Sequence, residues 1–283
     1  MNLNPIDKIV QEELASVQSP KMLASLAKQC QLKIFDYKPS LVINDVVMLE
    51  DKMITKSSIC SDQFICMCYP VITYYQSPKM TGESLFTALG LKPSSDFEKI
   101  MSHLFQLYPR EEDDMLKSFS RICPSQNITL DMAKQMIKQR EHIIMSYCYH
   151  NAFSVDNQWY LYIEASRFNH SCDPNCKWEI VDNVLSIRSI KQIDEGDELT
   201  ISYGVDGDFN KDVEGYTNGS IRRNYLMKLH FYCQCKMCIG RCNTCDKMNS
   251  DYKCSICKLV KYCSRECQIK DWPNHKGLCK RIA

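Results

Sequence analysis

The sequence predicts an α+β protein with small sheets, a helical insert and a cysteine-rich carboxy-terminal end, and three observations point there. The stretch from Trp178 to Ile193, WEIVDNVLSIRSIKQI, alternates in hydropathy and is rich in β-branched residues, the pattern of a hairpin or short meander. The segment from Ser84 to Tyr149 is mostly helical in its apolar spacing, with Leu130, Ala133, Ile137, Ile144 and Cys148 on the clearest face. Ten of the eighteen cysteines fall between Cys233 and Cys279, most of them in pairs two or three residues apart. A short C-x2-C turn aims both sulfurs at one point, which suits tetrahedral zinc.

Along the chain, Asn4-Pro5 opens a packing helix, with Asn as cap, Pro at the first helical position, and Ile6, Ile9, Val10, Leu14 and Val17 at helical spacing. The first thirty residues scatter charge among their apolar positions and so lack the continuous apolar core of a signal peptide. No later run is long enough to cross a bilayer. A net charge of +1 argues against a chain built to coat nucleic acid or an anionic membrane. The acidic run Glu111 to Asp114 could attract a basic substrate, but four adjacent charges read first as a solvated loop. Tyr74 and Tyr75 read as core or rim aromatics rather than a cofactor box.

The carboxy-terminal ligand string is Cys242-x2-Cys245, Cys254-x2-Cys257, Cys263-x3-Cys267 and His275-x3-Cys279. Eight ligands make two closed sites, four thiolates around one ion and three thiolates plus an imidazole around the other. With no open coordination position, such zinc holds a fold rather than catalysing. In a secreted chain the same density would read as a disulfide framework; the charge-broken amino terminus favours a reducing compartment, cytoplasm or nucleus. The basic residues here, among them Lys247, Lys253, Lys261 and Lys276, offset the negative charge of thiolate-bound zinc more simply than they build a nucleic-acid patch.

Upstream, Cys233-Gln234-Cys235-Lys236-Met237-Cys238 supplies three thiols and needs a fourth, because Cys242 belongs to the next module. In the middle of the chain, Asn169-His170-Ser171-Cys172-Asp173-Pro174-Asn175-Cys176 carries a thiol that locally suits a nucleophile, a disulfide partner or a zinc ligand. An ion left with three thiolates needs another soft ligand, and Cys172 is the natural candidate.

These motifs resemble known families. The ligand string from Cys242, with Tyr262 before Cys263 and Trp272 before His275, is similar to the MYND zinc finger. In that module, pairs one and three share one ion and pairs two and four the other. Asn151-Ala152-Phe153-Ser154-Val155, Ser166 to Asn175, and Gly196-Asp197-Glu198-Leu199-Thr200-Ile201-Ser202-Tyr203 resemble the core of SET-domain lysine methyltransferases. With the post-SET cysteines, the chain is similar to the SET-and-MYND family.

The resemblance implies a small-sheet SET fold and a treble-clef-like MYND finger. It divides the chain into an amino-terminal helical segment (1–31), a first part of the SET core (32–83), a helical insert (84–149), a catalytic half (150–205), a post-SET zinc segment (206–241) and the finger (242–283). It further implies a protein-lysine N-methyltransferase that uses S-adenosylmethionine and binds about three zinc ions. Tyr203 would be catalytic. Asn169, His170, Phe231 and Ser166 would bind the cofactor, and Cys172, Cys233, Cys235 and Cys238 would complete the post-SET zinc site. The implied partners are a protein substrate with a target lysine, histone or not, and a protein or proline-containing peptide at the finger, with the chain itself a monomer. The alternative is a catalytically weak scaffold that recruits proteins.

The chain departs from the family pattern in four places. Asn44 to Asp51 resembles a family strand but lacks its leading glycine, and the Gly-x-Gly loop expected before it reads Leu32-Lys33-Ile34-Phe35. Where many relatives insert the finger, this chain has Cys60, Cys66 and Cys68, three thiols that could be a remnant metal site but, with no His nearby, read first as buried apolar residues. A Tyr commonly found two residues before Phe231 is Leu229 here.

Overall fold

The structure, a computed structural model, describes residues 25, 28–43, 45–49, 52–75, 82–105, 107, 130–136, 138–203, 218–228 and 232–282. The expected helix after Asn4-Pro5, the acidic run at 111–114, Ile137, Leu229 and Phe231 lie outside these residues. The chain divides into two compact units, each assembled from separated segments. One takes Met1–Ile43, Ile65–Arg167 and Glu179–Ile187; the other takes Asn44–Phe64, Phe168–Trp178 and Arg188–Ala283.

The first unit is built on an antiparallel sheet of order β1-β6-β8-β7, from β1 (Lys33–Ile34), β6 (Ile72–Tyr75), β8 (Gln158–Leu161) and β7 (Phe153–Val155). Between β7 and β8, Asp156 and Asn157 both adopt positive φ, 50° and 63°. That is the left-handed geometry of a two-residue hairpin turn, which short polar side chains tolerate. Among the described residues, four helices follow the expected helical pattern: α1 (Gly82–Gly90), α2 (Ser94–Leu104), α3 (Leu130–Met136) and α4 (Arg140–Asn151). They pack Leu85, Leu89, Phe97, Ile100, Leu104, Ile144, Tyr147 and Cys148 against Ile72, Leu161 and Ile163 of the sheet side. Tyr74 is buried in this core and Tyr75 packs at its edge, as expected of core and rim aromatics. The loop after β1 is fastened by Glu164, whose two carboxylate oxygens accept from the Tyr37 hydroxyl (2.5 Å) and the Ser40 hydroxyl (2.7 Å).

A second sheet has the order β10-β11-β5-β2, from β10 (Cys176–Val181), β11 (Val184–Ser189), β5 (Phe64–Cys68) and β2 (Leu41–Val42). The hairpin expected from the alternating stretch is β10–β11, turned at Asp182 and Asn183 with φ 49° and 67°. Along β11, Leu185, Ile187 and Ser189 are buried while their neighbours are half-exposed, the period of two that the sequence carries. Cys66 and Cys68 are buried in β5, but Cys60 is exposed, which corrects its expected burial. Cys60 sits just before the Asp62 turn, where its carbonyl accepts from the Ser189 hydroxyl (2.6 Å) and the chain is held by backbone rather than by the thiol.

In the second unit, the hairpin of β3 (Val46–Leu49) and β4 (Lys52–Thr55) lies along the chain near 197–199: Leu199 N–H donates to the Met53 carbonyl (2.7 Å) and Thr55 N–H to that of Asp197 (3.2 Å). The turn expected at 194–197 is present, with Gly196 at φ 85° and Asp197 N–H donating to the Asp194 carbonyl. Beyond it run β9 (Asn169–His170) paired in parallel with β12 (Thr200–Ile201), then α5 (Asn218–Lys228), β13 (Tyr252–Lys253), β14 (Lys261–Tyr262) and α6 (Arg265–Ile282). Among the described residues, no helix is long and apolar enough to cross a membrane.

Candidate active site and metal centres

The site residues on the second unit are brought together by the β9–β12 pairing. Register sets Thr200 against Asn169 and Ile201 against His170, and Ser171 N–H donates to the Ile201 carbonyl at 3.0 Å. Asn175 fastens the loop that follows β9: its side-chain amide donates to the Glu198 carbonyl (2.8 Å) and its oxygen accepts the Thr200 N–H (2.7 Å). Asn169 donates to the Glu198 carboxylate at 2.7 Å. The residues after β12 are held as well, with Trp178 Nε1 donating to the Ser202 carbonyl (3.1 Å).

Tyr203 stands two residues past β12 and is anchored at both ends. Its N–H donates to His170 Nδ1 (3.0 Å) and its hydroxyl to the Phe168 carbonyl (2.9 Å). It keeps 37% of its surface open, so it is not a buried strand tyrosine. Atoms nonetheless crowd the phenol enough that desolvation, with the Glu198 charge behind it, pushes its pKa up. The phenol therefore stays protonated at neutral pH. Burial also pushes the His170 imidazole down to about 4, keeping it neutral.

Ser166 belongs to the first unit, in the 3-10 turn Ala165–Arg167. Its hydroxyl reaches the carbonyls of Asn151 (3.0 Å) and Tyr162 (2.5 Å), which ties that turn to the end of α4. A hydroxyl has one proton to give, so one carbonyl takes it at a time.

Three groups of thiol and imidazole ligands converge, each with its ligand atoms within 4.8 Å of one another. The first is Cys172, Cys233, Cys235 and Cys238. Cys172 Sγ lies 3.8 Å from that of Cys233 and 3.5 Å from that of Cys238. Tetrahedral zinc with bonds of about 2.3 Å sets sulfurs ~3.8 Å apart, whereas a disulfide needs ~2.05 Å, so the spacing fits an ion and not a bridge. No disulfide forms among the described cysteines. Four thiolates around Zn²⁺ leave net negative charge, and Arg222 lies beside it. Burial works to lower the Arg222 pKa, but the charge of Cys172 and a hydrogen bond to it raise it overall.

The second and third groups are Cys242, Cys245, Cys263 and Cys267, and Cys254, Cys257, His275 and Cys279. This is the interleaved arrangement in which alternate pairs share an ion. Distances of 3.5 Å for Cys245–Cys263, Cys254–Cys279 and Cys257–His275 Nε2 again fit zinc.

A buried polar relay joins the finger to α5. Arg223 donates to the Asp246 carboxylate (2.6 Å), the Cys242 carbonyl (2.7 Å) and Asn243 Oδ1 (3.4 Å). Asn243 passes the connection to Asp271 Oδ2 (2.9 Å), which also accepts the Tyr262 hydroxyl (2.8 Å). Ser220 donates to the Asn243 carbonyl. Gly219 is required here, because a Cβ would collide with the Asp246 carboxylate that Arg223 holds in place. On the same helix, Leu226 packs with Cys233 and Cys238, so α5 touches both the finger and the first zinc group.

The family model for the SET domain matches residues 51–204, more than half of the chain. The chain belongs to the SET-domain family. This SET chain also carries a MYND finger, whose model matches residues 242–279. A SET domain-containing protein of Acanthamoeba polyphaga mimivirus is 27% identical over 147 residues, 51% of this chain and 54% of that protein. A SET and MYND domain-containing protein of Dictyostelium discoideum is 40% identical over 83 residues, 28% of this chain and 14% of that protein. The mouse histone-lysine N-methyltransferase SMYD3 is 29% identical over 148 residues, 52% of this chain and 30% of that protein. The SET chain thus spans about half the length of the first of these relatives and less of the others.

Sequence reasoning did not find the Glu164 brace, the Arg223 relay or the two contacts of the His170 ring. The β7–β8 hairpin did have a visible signal, since Asp156-Asn157 repeats the dipeptide that turns β10–β11.

Proposed function

We propose that this chain is a protein-lysine N-methyltransferase that takes its methyl from S-adenosylmethionine. The observation that carries the reading is the assembly of Asn169, His170 and Tyr203 on the β9–β12 pair, directly beside the Cys172 zinc group. The donor supplies, when bound, a methyl already activated on a sulfonium. Asn169 and His170 are the residues assigned to hold it, with Phe231 against its adenine.

A lysine amine must be neutral to attack, although its ordinary pKa is near 10.4. A desolvated channel favours the neutral form. The Tyr203 phenol gives its proton to the Phe168 carbonyl, which leaves oxygen lone pairs to accept an amine N–H and so aim the nitrogen lone pair. The bound donor would supply its methyl to that nitrogen in exchange for the sulfonium's carbon–sulfur bond, and the proton the amine sheds would leave to solvent. Because its phenol pKa is raised, Tyr203 orients and does not act as a base. The zinc ions brace the site; with four protein ligands each, none offers a Lewis-acid position. The protein partner carries the target lysine, and the finger takes a second protein or a proline-containing peptide.

The scaffold alternative has one observation in its favour: where the donor-binding Gly-x-Gly loop is expected, the chain forms β1 at Lys33–Ile34 without glycine. Calorimetry with the donor, followed by labelled-methyl transfer to basic proteins, separates the two. The enzyme reading predicts saturable binding, and a Tyr203→Phe variant that still binds the donor but transfers about 10²-fold more slowly or worse. No donor binding by zinc-loaded protein would leave the scaffold.

A further inference from the structure

We infer that His170 is a positioning residue whose imidazole suspends Tyr203 from the first zinc site. The inference deepens the methyltransferase reading and rests on it for the role of Tyr203. One ring nitrogen, Nδ1, accepts the Tyr203 backbone N–H at 3.0 Å. The other, Nε2, lies 3.2 Å from Cys172 Sγ.

The chemistry of the two contacts fixes the ring. The nitrogen that accepts the Tyr203 N–H carries no proton of its own, so the N–H of the ring is on the other nitrogen. The proton is therefore on Nε2 and points at Cys172. A zinc-bound cysteine is a thiolate, an acceptor with no proton of its own, so the metal selects this tautomer. The result is a continuous path from the ion through the Cys172 sulfur and the His170 ring to the Tyr203 main chain. The phenol of the same residue is held separately at the Phe168 carbonyl. Of these two contacts of Tyr203, the backbone one runs to the zinc group and the phenol one does not.

The arrangement gives the first zinc group a purpose that its closed coordination otherwise leaves unexplained. A brace that merely joined Cys172 to the post-SET trio would not need a histidine beside the sulfur. Carried to the Tyr203 amide, it sets where the phenol begins. The part of His170 in cofactor binding then runs through the backbone geometry of β9 rather than through a ring nitrogen aimed at the donor.

Two measurements on the full zinc-loaded chain test this. Nitrogen-15 NMR of the wild type reads the tautomer and any scalar coupling across the Tyr203 N–H to His170 Nδ1 hydrogen bond, without reference to activity. The expected result is a protonated Nε2, a bare Nδ1 and a measurable coupling; a protonated Nδ1, or no coupling, overturns the proposal. The second measurement compares His170→Phe with wild type at saturating donor. Turnover should fall about tenfold or more while the donor dissociation constant stays within about threefold and three zinc ions remain bound. The opposite pattern, weakened donor binding with turnover kept, would make the ring a direct cofactor contact and overturn the proposal. If that variant fails to fold or loses zinc, the wild-type spectrum decides. Wild type that transfers no methyl would sink the methyltransferase reading, whereas the spectrum judges the hydrogen-bond path by itself.

Discussion

The two units of this protein use cysteine in opposite ways. In the first, Cys30 and Cys148 are buried in the core among aliphatic and aromatic side chains, and burial pushes their thiols up, to about 11 and about 12. These thiols remain protonated and act as small apolar groups. In the second, twelve ligands, eleven of them sulfur, converge in three fours. The residue type is the same, so what differs is convergence. A thiol among hydrocarbon is cheapest neutral, while four that meet at bonding distance from one point are cheapest ionised around a cation. Stability in the first unit therefore comes from apolar burial, and at the carboxy-terminal end of the second it comes from metal.

The largest expected effect breaks the comparison at that seam. Structural zinc contributes about 10–16 kcal/mol per site in small finger modules, more than many whole domains possess. Complete chelation should unfold residues 232–282 and leave the α4 and β8 amides of the first unit protected, as read by hydrogen exchange. Equal loss of protection in both units would contradict the contrast.

Single cysteines sharpen it. Cys172→Ser should reduce bound zinc from three ions to two, counted by native mass spectrometry. Cys148→Ser should keep all three and lower thermal stability by about 1–3 kcal/mol, since it buries a hydroxyl in an apolar site. Larger than the Cys148 effect is that of Arg223→Ala, which leaves Asp246 and the Cys242 carbonyl without a guanidinium whose side chain is only 4% exposed. The expected cost is about 2–4 kcal/mol in a melt of the zinc-loaded protein, with zinc content unchanged.

A pH-dependent effect belongs to the first unit. Burial lowers the His142 pKa from its ordinary value to about 4. Between pH 6.5 and 4 the unfolded chain binds a proton there that the folded chain does not. His142 thus leaves stability intact above pH 6.5 and subtracts from it as pH falls toward 4, by at most about 1.4 kcal/mol per pH unit. His142→Phe should flatten that part of the profile, measured by exchange at the α4 amides; an unchanged slope would remove the assignment.

How much of this was legible in the sequence follows the same division. The twelve ligands are legible because coordination chemistry demands fixed spacings, the sharing of the eight finger ligands between two ions follows from the resemblance to the MYND finger, and the long-range partner Cys172 follows from what the Cys233, Cys235 and Cys238 trio lacks. The β10–β11 hairpin and the 194–197 turn were legible from local pattern. Contacts with no spacing rule were not. Arg223 meets Asp246, and Tyr37 meets Glu164, across long stretches of chain through single side chains whose types suit any surface. Cys60 was misjudged for a related reason, because three nearby thiols look alike in sequence while only two of them point into a sheet. His170 was picked out from its motif, but the contacts of its ring depend on β9 and β12 pairing in one register.

The central claim is that a sulfur from the middle of the chain shares an ion with three from near its end, beside Tyr203. Anomalous diffraction at the zinc edge tests it most directly. Three peaks are expected, one of them about 2.3 Å from the sulfurs of Cys172, Cys233, Cys235 and Cys238. A map with only the two finger ions, or with the third ion bound by the trio and some ligand other than Cys172, would contradict it.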